Sequence, residues 1–340
     1  MKTFATLLLC LVVPAFASAE KIVVIAGSDF QEKTDSRGAK TVEKILGQIY
    51  AAGYRDADGV LFCGDYTVKL NNRPSESESG IAMLKKALLS ARLGIEAHEL
   101  VLLQGNHDPV GTKGISPSGA NDPEHRRYGV FVINEDDYMW FQGKRPTDGN
   151  ADITDDEATV RQTAERLDSY LNKKYKEKFP APIFVCSHLP LHYSMRTYHD
   201  GDARYAKYIF DVMNRHAKRG LKLFFLYGHN HSQGWDNYLG GGRVFLEPGE
   251  KIPVAVPAAR KRCTLETLAF MYMNAGYTTY VSTTDPNDGA DRTLSMSVFE
   301  IDHHGNVAIK RYSPDGSPSL KAPGVPNTRD DNLERRLGLY

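Results

Sequence analysis

The residues in this chain best suited to chemistry sit where apolar runs stop. Asp29 follows Lys21-Ile22-Val23-Val24-Ile25-Ala26, and Asp65 follows Val60-Leu61-Phe62-Cys63. Asn106, His107 and Asp108 follow Leu100-Val101-Leu102-Leu103; His188 follows Ile183-Phe184-Val185-Cys186; His229 and His231 follow the run from Leu221 to Tyr227. Carboxylate, amide and imidazole together suit a borderline divalent metal better than a soft-metal or pure calcium site. Two such ions sharing a carboxylate lie ~3.5 to 4 Å apart and can clamp a phosphoryl group against a nucleophilic hydroxide. Each residue alone could equally be a helix cap or a hydrogen-bonded surface group. Their shared placement argues for one site, assembled at a common sheet edge.

Those runs must be strands. Continuous β-branched or aliphatic stretches of four to six residues mark strands covered on both faces. Between them the period changes to that of helices, with Val42, Ile45, Leu46 and Ile49 in register, then Ile81, Leu84 and Leu88. Alternating strand and helix predicts a layered α/β fold whose site lies at the carboxyl ends of the strands. Periodicity is lost from Pro109 to about Gly149, which predicts a long loop or small cap within about 109–180. A helix is predicted next, capped at Thr154-Asp155-Asp156-Glu157, with Val160, Ala164, Leu167 and Leu171 on its buried face and a solvated basic stretch from Lys173 to Lys178. Ala206, Ile209, Phe210, Met213 and Ala217 mark another helix. Strands are expected at Val244-Phe245-Leu246, from Thr278 to Ser282, and in a hairpin around His303-His304-Gly305-Asn306, forming a second sheet packed on the first. The tail, 313–340, is rich in Pro, Gly, Ser and charge and reads as flexible.

With their flanking residues, Asp29-Phe30-Gln31, Gly64-Asp65, Gly105-Asn106-His107-Asp108, Ser187-His188 and Gly228-His229-Asn230-His231 resemble, in order and spacing, the five motifs of the calcineurin-like metallophosphoesterases. The resemblance spans roughly residues 22 to 250. It implies a four-layer α/β/β/α sandwich over residues 20–312 and two divalent metal ions, drawn from Mn, Fe, Zn and Mg. Asp29, Gln31, Asp65 and His231 would hold one ion; Asp65, Asn106, His188 and His229 would hold the other. His107 would be the general acid, with Asp108 orienting its imidazole. The implied reaction is metal-hydroxide attack on a small-molecule or nucleotide phosphate ester.

The departures narrow the subfamily. The usual first motif is Asp-x-His, but the third residue here is Gln31, a neutral amide, so the first ion should be held more weakly or chosen differently, unless Gln31 only hydrogen-bonds a bound water. Val68 stands where purple acid phosphatases carry a tyrosine, and Val68-Lys69-Leu70 with Asp108 does not match the phosphoprotein phosphatases. His192 and His199 are candidates for substrate contact, with a structural role as the alternative for each. Arg126-Arg127 could meet a phosphate, and Tyr272 and Tyr277 could stack on a base, against the simpler readings of a solvated pair and core packing.

Composition limits partners and compartment. With 340 residues, 41% hydrophobic and 10% aromatic, the chain can bury a substantial core. It carries 42 basic and 42 acidic residues, so no global field favours a polyanion and stable nucleic-acid binding is not expected. Lys2, the apolar stretch from Phe4 to Phe16 and Ala17-Ser18-Ala19 read as a secretory signal cleaved after Ala19, predicting a secreted or periplasmic protein. The stretch is shorter than the ~20 residues of a spanning helix, so no membrane span is expected after cleavage. Cys63, Cys186 and Cys263 are too few for a disulfide framework, and the first two read as buried packing thiols. The rival readings are a catalytically weak metal-binding or scaffolding relative and a secreted nuclease or phosphodiesterase.

Overall fold

The computed structural model describes residues 21–32, 36–68, 73–124, 127–135, 157–192, 205–229, 245–255, 263–278 and 294–315. The signal segment, the cap at Thr154 to Asp156, Arg126, His199, His231 and the tail beyond residue 315 lie outside them, as does all but the first residue of the strand expected from Thr278.

Two sheets form the centre. In the first, β1 (Ile22–Gly27) pairs in parallel with β2 (Gly59–Phe62), which pairs in parallel with β3 (Leu100–Leu102). The hairpin β12 (Met296–Ile301) and β13 (Val307–Tyr312) adds to the other edge of β1, antiparallel, in the order β13-β12-β1-β2-β3. The second sheet runs β4 (Gly119–Ala120), β5 (Gly129–Ile133), β6 (Ile183–Ser187), β7 (Leu223–Tyr227), β11 (Met271–Asn274) and β8 (Phe245–Leu246). Its four central strands are parallel. A separate antiparallel pair joins β9 (Lys251–Ala255) to β10 (Cys263–Thr267).

Strand alternation sorts the side chains into three apolar layers. Ile22, Val24 and Ala26 of β1 face Phe184, Cys186, Phe224 and Leu226 of the second sheet and form the layer between sheets. Val23 and Ile25 point the other way, onto Val42, Ile45 and Ile49 of α1 (Arg37–Ala51) and Leu84 and Leu88 of α2 (Pro74–Leu89). On the far side Ile183, Val185 and Phe225 pack on Leu167 and Leu171 of α3 (Glu157–Lys176) and Ile209 and Phe210 of α4 (Ala206–Lys218). This is the expected α/β/β/α sandwich.

Four details differ from expectation. The late hairpin extends the first sheet, and the metal-motif strands divide between the two sheets, three in one and two in the other. The site is therefore built at the facing carboxyl ends of two sheets, not along one edge. Within 109–180, β5 is a fully buried strand beside β6, and its apolar run Val130-Phe131-Val132-Ile133 has the same covered-strand pattern as the motif strands. Lys174 is buried inside the basic stretch read as solvated, where it pairs with Asp122 at 2.5 Å, and Asp122 also accepts the Tyr170 hydroxyl.

Candidate metal centre

The ends of β1 and β2 are locked before any side chain is considered. Past the last ladder bonds, Asp29 N–H donates to Gly64 O at 3.0 Å and Gln31 N–H to Asp65 O at 2.8 Å. Asp29, Gln31, Asp65 and His229 all adopt left-handed backbone conformations, with φ of 52°, 39°, 63° and 66°. Non-glycine residues hold such angles only where their surroundings impose them, and these cluster at one point. Glycines make room alongside. A Cβ on Gly105 would lie 2.6 Å from Asp65 N, and one on Gly228 would lie 2.8 Å from Asp29 Oδ2.

The buried groups converge. His188 Nε2 lies 2.9 Å from Asn106 Oδ1 and 3.3 Å from Asp65 Oδ2, while His229 Nδ1 lies 2.9 Å from the same Asn106 oxygen. Ligand atoms of Asp29, Asp65 and His188 fall within 4.8 Å of one another, all buried. Asp29 Oδ2 accepts the His229 N–H at 3.0 Å, and Gln31 Nε2 donates to Asp65 Oδ2 at 3.1 Å. Of the sequence-derived ligand set, Asp29, Gln31, Asp65, Asn106, His188 and His229 are thus brought together, and His231 lies outside the described residues.

These residues fit a divalent cation. His188 Nδ1 lies 2.6 Å from the Cys63 carbonyl, which only accepts, so Nδ1 carries the hydrogen. Nε2 then faces two oxygens, an arrangement that calls for a second proton or a cation between them. Burial works against a charged His188, yet the Asp65 carboxylate outweighs it and pushes the imidazole up to about 9. Burial likewise opposes ionised Asp65, but His188 and His107 hold its carboxyl well below the usual range. The pocket already stabilises positive charge at this point.

His107 lies beside the centre, its Nε2 3.8 Å from Asp65 Oδ2, and its backbone N–H donates to Asp65 Oδ1 at 2.9 Å. Asp108 differs from expectation. Its carboxylate accepts the backbone N–H groups of Asp65 at 2.8 Å, Tyr66 at 3.1 Å and Gly105 at 2.9 Å, so it ties the second and third motifs together instead of orienting the His107 ring. Burial, then the Asp65 charge, pushes its carboxyl up to about 7. His192 sits as the structural alternative has it. It is fully buried, with Nδ1 2.7 Å from the Tyr272 hydroxyl and its ring edge-on to Tyr227 and Tyr272, so it belongs to the core of the second sheet. Tyr272 and Tyr277 are buried too, and His199 lies outside the described residues.

Sequence reading missed Asn134, whose Oδ1 accepts the Gln104 N–H at 2.8 Å and whose amide donates to Ser116 O and Ser118 Oγ. It fastens the end of β5 to the third-motif turn, and buried Glu135 follows it. The signal was present, because Val130-Phe131-Val132-Ile133 runs into Asn134-Glu135 just as the other strands run into their polar ends.

The solved structure titled "GAP50 the anchor in the inner membrane complex of Plasmodium" is similar to this chain, at 12% identity over 87% of this chain and 86% of that one, with a TM-score of 0.45. No curated protein matches the sequence. The model of the calcineurin-like phosphoesterase family matches residues 23–233, a span that runs from β1 through every motif strand and the converging ligands. The chain belongs to the calcineurin-like phosphoesterase family.

Proposed function

We propose that the protein is an exported, divalent-metal-dependent phosphoesterase that hydrolyses a small-molecule or nucleotide phosphate ester. The observation that carries this reading is the meeting of buried Asp29, Asp65, His188 and His229 with half-buried Asn106 at one point, with His107 alongside. Asp65, Asn106, His188 and His229 would hold a metal, with Asp29 and Gln31 on the side of a second position. A divalent ion bound there supplies Lewis acidity to a phosphoryl oxygen and lowers the pKa of water.

The chain's own residues supply the rest. His107 delivers a proton to the departing ester oxygen, a step typically worth ~10² to 10⁴ in rate. The Asp65 carboxylate lies beside it, with Oδ2 3.8 Å from His107 Nε2. Asn106 contributes a neutral oxygen that adds no negative charge to repel the anionic substrate. Asp108 holds the turn that aims both. The balanced charge of the chain favours a compact ester over a polyanion, and the apolar leader ending in Ala17-Ser18-Ala19 supports export.

A panel of chromogenic phosphate mono- and diesters, assayed with added manganese and again with a chelator, tests this. Metal-dependent turnover of at least one ester is expected. A folded, metal-loaded protein that hydrolyses none of them would favour the second reading, a metal-binding relative that has lost catalysis. The Gln31 amide bonded to Asp65 is the observation on that side.

A further inference from the structure

Resting on the metal-dependent reading above, we infer that this centre holds one divalent ion tightly instead of an equal pair, because the Gln31 amide donates to the Asp65 oxygen that a second ion would have to share. Around Asp65 Oδ2, neighbouring donor atoms are 2.9 Å apart for His188 Nε2 and Asn106 Oδ1, 2.9 Å for His229 Nδ1 and Asn106 Oδ1, and 3.3 Å for His188 Nε2 and Asp65 Oδ2. Ligands ~2.1 Å from one ion stand ~3.0 to 3.4 Å from each other, so this shell is already at coordination spacing.

The Asp65 carboxylate already has other partners. Asp65 Oδ1 accepts the His107 N–H at 2.9 Å, and Oδ2 accepts Gln31 Nε2 at 3.1 Å. An amide nitrogen offers no lone pair to a metal. The N–H it donates uses the Oδ2 electron density that would bridge to a second ion. Turning the amide over would put a neutral oxygen where an imidazole would bind more strongly, and would give up the bond to Asp65. Gln31 is also fully buried, and its own N–H is tied to Asp65 O at 2.8 Å, so its backbone is held against the end of β2.

The test is metal stoichiometry and spin coupling on the full chain. Protein stripped with chelator, equilibrated with manganese and desalted should retain about one manganese per chain, with the spectrum of an isolated ion by electron paramagnetic resonance. Gln31→His should retain about two, with a spectrum broadened and split by coupling, as the second ion gains ~10- to 100-fold in affinity. Gln31→Glu, the same length with a carboxylate, should move the same way and covers the case in which histidine is not accommodated. Two equally held, coupled ions in the unaltered chain would overturn the inference. So would two variants that melt like the unaltered chain and still take up only one ion. Folded protein that retains no manganese in any form would instead strike the metal-dependent reading, and this inference with it.

Discussion

The carboxylate of Asp108 accepts the backbone N–H of Asp65 at 2.8 Å, so the residue following the proposed proton donor holds the proposed metal ligand through its main chain. Tyr66 N–H and Gly105 N–H share the same carboxylate. Three buried donors thus depend on one side chain. Asp108→Ala should cost about 3 to 5 kcal/mol, since each buried donor left unpaired costs ~1 to 3 kcal/mol with partial relaxation. Chemical denaturation should show this loss and elemental analysis a parallel loss of metal. A variant that keeps its stability and metal but loses turnover would return Asp108 to a role at the His107 ring.

His107→Ala should behave in the opposite way. Its imidazole stands 3.8 Å from Asp65 Oδ2, beside the ligand cluster and outside it, so fold and metal content should hold while turnover falls by ~10² to 10⁴. Esters with a more acidic leaving group need less proton donation, so the loss should be smaller for them. A uniform loss across leaving groups would remove the general-acid role.

Two glycines should respond to alanine with opposite sign. A Cβ at Gly105 would press on the backbone N of Asp65, at 2.6 Å, so Gly105→Ala must move a ligand and should lower metal content and stability together. Gly47 lies inside α1, and a methyl added there would meet nothing within 4 Å, so Gly47→Ala should raise stability by about 0.5 to 1 kcal/mol with no change in metal or turnover. Thermal melts of the pair check both.

His192 and Tyr272 should act as core residues. The Tyr272 hydroxyl accepts the N–H groups of Leu191 at 2.8 Å and His192 at 3.2 Å, which leaves its own hydrogen for His192 Nδ1. Tyr272→Phe removes all three bonds and should cost about 1 to 3 kcal/mol with little effect on KM. A rise in KM at unchanged stability would place His192 at the substrate.

Acid stability should depend on Glu300. Despite partial burial, its bonds with Lys310, Tyr54 and Lys21 hold the carboxyl down at about 2, below the usual 4.5. A depressed folded value contributes stability above the unfolded value, lost as pH falls from about 5 towards 2. Glu300→Gln should flatten that limb by about 1 to 2 kcal/mol after solvent screening, with the profile above pH 6 shifted but parallel. An unchanged acid limb would show that the network tying the start of β1 and the turn after α1 to the last hairpin adds nothing.

Much of this protein is determined by local sequence. Uniformly apolar runs such as Ile22 to Ala26 and Ile183 to Cys186 can only be covered strands, and a polar residue straight after each places it at the carboxyl end. The helical faces of α1 and α4 follow from period alone, the layered fold follows from the alternation of strand and helix, and the candidate ligands come from the polar residues at the strand ends and the family resemblance. Other features rest on contacts between residues far apart in the chain. Sequence cannot divide β1, β2 and β3 from β6 and β7, because covered strands look alike whichever sheet they join. It cannot tell a histidine that binds from one that packs: His188 and His192 are four residues apart, yet one meets Asp65 and the other meets Tyr272. Nor can it orient an amide or a carboxylate. Gln31 donating to Asp65, and Asp108 turned to main-chain N–H groups instead of an imidazole, are settled only where the strand ends meet, because Asp65, the partner both share, lies 34 residues from Gln31 and 43 from Asp108.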